Sequence, residues 1–199
     1  CKGAMVCEYN HVLEFVHSDR WPCVWLLDPH PRKPHMFLWC CIDPSDDIWV
    51  VAEGLEPGDP MEVRKHCDSV ERELNLRIGA RLIDPNMARS PSSSTRNTVW
   101  QDDFDRAGLV TSLADDGEGG RATLNTFLQP DRGRWQPRIH VHPRCRETVK
   151  QIKRYVWGDY RYGADRGQKQ VPKDKDDDFP TLLKYLMNMG PTFRGLNGG

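Results

Sequence analysis

Three acidic positions stand where a fold would gather side chains suited to metal chemistry. Asp28 closes the apolar run VWLLD, Asp84 closes the run in IGARLIDPN, and Asp176, Asp177 and Asp178 open DDDFPTLLKYLMNM. Strand ends and helix starts on one side of an α/β sheet converge, so acids far apart in sequence meet. Carboxylates crowded in this way repel, and their pKa values rise unless a cation joins them. Hard oxygen ligands suit Mg²⁺ or Mn²⁺. Two such ions, roughly 3.5–4 Å apart, activate a water and stabilise a leaving oxygen in phosphodiester hydrolysis. A structural alternative stays open, because Asp-Pro after a strand is a common turn and Asp before a helix is a common cap.

The elements that must position these acids follow from the apolar pattern. VWLLD (24–28), HMFLWCCID (35–43) and IWVVAEG (48–54) are strand-sized runs separated by turn-rich PHPRKP and PSDD, which predicts an antiparallel meander. The period then changes: in MEVRKHCDSVERELNL, Val63, Cys67, Val70 and Leu74 share one face of an amphipathic helix. IGARLIDPN (78–86) reads as a further strand and ARSPSSSTRN (88–97) as a surface loop. WQDDFDRAG reads as a short helix closed by Gly108, LVTSLA as a strand, RATLNTFLQ as a helix, RIHVH as a strand and RCRETVKQIKRYVW as a helix. The basic stretch GDYRYGADRGQKQVPKDK reads as a hairpin or loop, DDDFPTLLKYLMNM as the last helix, and PTFRGLNGG as the tail. This order fits a mixed α/β sheet with helices on both faces, or an α+β domain.

Composition bounds the class. The chain has 199 residues, 38% hydrophobic and 29% charged, which is enough to bury a core. It holds no apolar span of the ~20 residues a membrane helix requires and no secretory leader pattern, so a soluble, intracellular protein is expected. Seven cysteines lack any C-x-x-C spacing and read as buried free thiols. A net charge of −1 is compatible with acids clustered in a site and basic residues along a substrate path.

The segments DPHPRKPH (28–35), LIDPNMA (82–88) and, above all, KDKDDDFPTLLKYLMNMGPTFRGL (173–196) resemble the carboxy-terminal nuclease domain of bacteriophage terminase large subunits. The resemblance spans roughly residues 21–196 and implies a ribonuclease-H-like fold: three antiparallel strands, then parallel ones, with helices on both faces. Residues 1–20 would be a leader or the remnant of an upstream linker, and 197–199 a tail. It implies an endonuclease that cuts concatemeric double-stranded DNA during genome packaging, working in the host cytoplasm. Two Mg²⁺ or Mn²⁺ ions would be held by Asp28, Asp84 and Asp178 with Asp177. Tyr185 follows at the family's spacing, whereas Thr181 stands where many relatives carry another Asp. Both Asp177 and Asp178 are expected to contribute, Asp178 in the inner role, while the other caps the helix or binds outer-shell water. The small terminase subunit and the portal protein are the implied partners, with no membrane. No G-x-x-x-x-G-K-[ST] loop is present to cradle ATP phosphates, so the family's packaging motor is expected elsewhere, with this chain an excised domain.

Basic residues flank these motifs. Arg32 and Lys33 follow Asp28, Arg89 and Arg96 border the serine loop, and Arg161 and Arg166 lie in the basic stretch. Such loops carry a phosphate backbone without reading sequence, or simply solvate the surface. His30 faces either the acids or the nucleic acid. His140, His142 and Cys145 make one tight cluster, short of the two paired spacings usual for structural zinc. Two rival functions remain: a non-cleaving DNA-binding or docking module of the packaging machinery, and a transposase- or resolvase-type enzyme of the same fold.

Overall fold

The apolar runs from Pro22 onward fold as the pattern demands. In a computed structural model describing residues 11–93, 97–130, 136–163 and 177–197, β1 (Pro22–Asp28), β2 (His35–Ile42) and β3 (Ile48–Glu56) form the antiparallel meander. β2 is buried along its whole length. That is why it reads as a continuous apolar run rather than an alternation: both of its faces are covered. Asp59 then caps α1 (Pro60–Glu73) by accepting from Met61 N and Glu62 N, with Pro60 in the first turn. The helix carries the chain across to β4 (Arg77–Ile83), which lies parallel to β1.

Among the described residues the sheet has six strands in the order β5-β4-β1-β2-β3-β6, with β5 (Ser112–Leu113) parallel to β4 and β6 (Ile139–Val141) parallel to β3. Helices cover both faces. Val63 and Cys67 of α1, Ala88 of α2 (Pro85–Ala88), and Trp100 and Phe104 of α3 (Trp100–Arg106) close one apolar layer. The other is closed by α4 (Gly119–Leu128), α5 (Arg146–Gly163) and α6 (Asp178–Met189), through Leu124, Ile152 and Leu182 among others. The five described cysteines are free and buried. Among the described residues no helix is long and apolar enough to cross a membrane.

Several elements depart from expectation, each for a local reason. β5 spans two residues rather than the whole of LVTSLA, because the preceding backbone is tied to α3: Leu109 N donates to Phe104 O and Thr111 N to Asp105 Oδ1. α5 continues to Gly163 where a hairpin from Gly158 was expected; one helical glycine costs only about 1 kcal/mol. The tail forms α7 (Phe193–Asn197), whose Phe193 and Leu196 pack on the core. Residues 11–20 lie against the body: the His11 ring bonds Leu128 O at 2.8 Å and Phe15 meets Trp49 edge-on at 4.8 Å.

Two caps set the helices of the second layer. Glu53 on β3 accepts from Glu147 N (2.9 Å), Thr148 N (2.7 Å) and Thr148 Oγ1 (2.7 Å), satisfying the orphan donors at the start of α5. Gln151 of α5 in turn accepts from Phe179 N at 2.9 Å, in the first turn of α6. α4 packs on α6 with no room to spare: a Cβ on Gly120 would stand 2.4 Å from Lys184 O. Since that oxygen is backbone, Gly120→Ala should drive the helices apart and cost about 1–3 kcal/mol. A melting temperature equal to wild type would show that the two helices separate without strain.

Candidate metal centre

Alternation along the strands decides which way the acids point. In β1, Val24 and Leu26 belong to the layer under α4–α6, whereas Cys23, Trp25 and Leu27 face α1. Asp28 is two residues beyond Leu26 and so falls on the α6 side. In β4, Leu82 belongs to that same layer, and Asp84 follows it two residues on. Parallel pairing makes Leu27 the partner of Ile83, and Asp84 N donates to Leu27 O at 2.8 Å. The two acids therefore leave adjacent strands side by side.

Asp84 is 7% exposed, and its carboxylate is well provided with donors. Oδ1 accepts from Asn86 N (2.9 Å) and Met87 N (2.6 Å), which makes Asp84 the N-cap of α2. Oδ2 accepts the hydroxyl proton of Tyr185. The cap that a purely structural reading allowed is thus present, together with a contact it did not anticipate. Tyr185 lies seven residues after Asp178 on α6, two turns along the same face.

Among the described residues Asp28 has no such provision. Its carboxyl is pushed up to about 7, first by burial, then by the charges of Asp84 and Asp178; Lys33 opposes the rise and Asp177 adds to it. Asp84, Asp177 and Asp178 therefore all stand within range of the Asp28 charge, while Asp176 lies outside the described residues. Asp178 begins α6, and Asp177 occupies the N-cap position without a side-chain cap bond. The capping role expected for one of this pair is taken partly by Gln151.

The donor set has the chemistry of a hard-cation site, since every member is a carboxylate. Asp28, Asp178 with Asp177, and Asp84 are the residues that could hold such an ion. Among the described residues, no three His, Cys, Asp or Glu side chains are gathered closely enough to ligate one ion as they stand. Uncompensated like charges favour that separation. The zinc alternative falls under the same finding: the His140 ring stacks on Trp49 at 4.1 Å, and Cys145 Sγ points to Val50 O.

Arg32 and Lys33 are exposed in the turn after Asp28, and Arg89 is exposed at the end of α2, one short helix beyond Asp84. Arg96 and Arg166 lie outside the described residues, and so does the side chain of Arg161. One constellation was missed. Asp116, just past β5, pairs with Lys184 of α6 and accepts from Asn86 Nδ2 at 3.3 Å; the Lys184 ammonium holds it below the usual carboxylate range. Asn188 Nδ2 reaches Asp115 O and Gly117 O, both at 2.7 Å, and so ties the same loop to α6. In the sequence, DDGEGG carries only a turn signal.

An antiparallel meander continued by parallel strands, with helices on both faces and carboxylates at the strand ends, defines a ribonuclease-H-like fold. Solved structures of large terminases share it. The large terminase of a thermophilic bacteriophage, in complex with ADP, aligns with a TM-score of 0.67 at 17% identity, over 92% of this chain and 43% of that one. The P22 large terminase nuclease domain aligns with a TM-score of 0.66 at 14% identity, over 98% of this chain and 97% of that one. The chain thus spans less than half of the first protein and nearly all of the second, and at these identities the likeness is one of fold. No protein-family model and no curated protein matches the sequence.

The raised Asp28 carboxyl makes stability depend on pH with a definite sign. Between about 4 and about 7 the unfolded chain has this carboxyl ionised while the folded chain keeps its proton, so wild type loses stability as pH rises through that window. Asp28→Asn should lack this component in metal-free buffer. The melting temperature of the variant should therefore gain on wild type up to about pH 7 and hold a constant lead above it. Parallel curves would place Asp28 in an ordinary carboxylate environment.

Proposed function

We propose that this domain is a metal-dependent endonuclease that hydrolyses double-stranded DNA, using two Mg²⁺ or Mn²⁺ ions held by Asp28, Asp84 and Asp178 with Asp177. The observation that carries the reading is the gathering of acids at the ends of β1 and β4 and the start of α6, where burial first and then the charges of Asp84 and Asp178 lift Asp28 to about 7. Burying like charges together is unfavourable in a purely structural role and is relieved by divalent cations. The bound ions would supply Lewis acidity and an activated water. The chain's own part is to hold the carboxylates in place: Tyr185 and the α2 amides fix Asp84, while Gln151 fixes the start of α6. Likeness of fold to the P22 large terminase nuclease domain supports DNA as the substrate. Cutting of concatemeric viral DNA during packaging, with the small subunit and portal as partners, is the role this proposes.

Plasmid incubated with Mn²⁺ or Mg²⁺ should be nicked and then degraded without strong sequence preference, and EDTA should stop it. Asp84→Asn keeps a cap oxygen for Asn86 N and Met87 N, so the fold should persist while cleavage falls at least about a hundredfold through loss of a metal ligand. Intact plasmid with either metal at high enzyme would overturn the reading. A specific observation favours the rival, non-cleaving module: Asp84 already serves as a cap and takes the Tyr185 hydroxyl. That module would bind DNA without cutting it.

DNA affinity should fall steeply with salt, because each phosphate contact releases counterions. Replacing Arg32 and Lys33 together should weaken binding to unrelated sequences alike and lower the salt slope by about 2. Salt-insensitive or strongly sequence-selective binding would remove the Asp28 turn from the DNA path.

A further inference from the structure

The turn between β1 and β2 is built around two histidines that the acid site does not use. His30 N–H donates to His35 Nδ1 at 3.0 Å, so the proton of the His35 ring resides on Nε2, which donates to Gly58 O at 3.0 Å. His35 is buried and lies edge-on to Trp100 and Phe104, at 4.9 and 5.3 Å. The His30 backbone is therefore pinned to the core two residues after Asp28. The His30 ring in turn accepts at Nδ1 from Arg32 N (3.1 Å) and Lys33 N (2.9 Å). Two backbone donors on one ring nitrogen settle the tautomer: the proton is on Nε2, the nitrogen facing away from the turn. Those same bonds turn the two amides inward, so they cannot cradle an anion themselves. What the turn offers to a ligand is the Nε2–H of His30 with the exposed side chains of Arg32 and Lys33.

We propose that His30 is a DNA-contacting residue whose Nε2–H donates to a non-bridging phosphate oxygen of the strand lying across Asp28 and Asp178. This inference rests on the nuclease reading for the location of the DNA. A phosphate backbone drawn to the acids by cations must pass the turn that leaves Asp28, and a neutral N–H donor beside Lys33 suits an oxygen with no proton of its own. With Nδ1 taken up by two backbone N–H donors, the ring serves as a neutral donor and not as a third cation in the turn.

Asn and Ala at this position separate the two nitrogens. An Asn side chain accepts from the amides two and three residues on, as Nδ1 does, but offers nothing at the Nε2 position. Wild type, His30→Asn and His30→Ala are compared for melting temperature, for binding of a labelled duplex by fluorescence anisotropy with Ca²⁺ in place of Mn²⁺, and for plasmid cleavage with Mn²⁺. The inference expects His30→Asn to melt as wild type and to bind about tenfold more weakly, the loss of one hydrogen bond to a charged oxygen. Wild-type affinity in His30→Asn, whether or not His30→Ala is impaired, would reduce the ring to a brace for the turn and overturn the inference. Wild type that binds but does not cut would sink the nuclease reading alone, and wild type that does not bind would sink both.

Discussion

Because Asp84 N donates to Leu27 O, β4 leaves the sheet beside the end of β1, and two carboxylates come to share the space under α6. That single parallel register dictates much of what surrounds it. The crossover through α1 exists to deliver β4 in the direction of β1, and the short α2 turns the chain away as soon as Asp84 is placed. A one-residue slip would send Asp84 to the opposite face, into the apolar layer of Trp100 and Phe104 and away from Tyr185.

Three acids at this edge carry their charge in three different ways. Asp116 is paired with an ammonium, Lys184, whose side chain is itself only 11% exposed. Asp84 spreads its charge over two amides and a phenol. Asp28 has neither among the described residues, and burial, followed by the charges of Asp84 and Asp178, raises its carboxyl. The cluster is therefore asymmetric: Asp84 is positioned by two amides and a phenol, while Asp28 is buried beside like charges.

How much of this was legible in the sequence depended on range. The meander, α1 and α6 were readable because their apolar runs are long and their periods unmixed. The approach of Asp28, Asp84 and Asp178 was readable because strand ends and helix starts on one side of such a sheet must converge. β5 was overread: LVTSLA looks like a strand, but Val110 is 70% exposed and the run is tied to α3. Gly158 looked like a helix stop and is not one. Gln151 on Phe179 N and Lys184 on Asp116 left no trace, since each joins residues 28 and 68 positions apart through packing that no local pattern encodes.

The two caps in series have a mechanical consequence. Glu53 of β3 seats the first turn of α5, and Gln151, one turn further along that helix, seats the first turn of α6 where Asp178 begins. The acid is thus referred back to the sheet by a linkage of two hydrogen-bonded joints. Its place is set by a strand on the far side of β2 from Asp28, so the two halves of the site share one datum and move together when the sheet flexes.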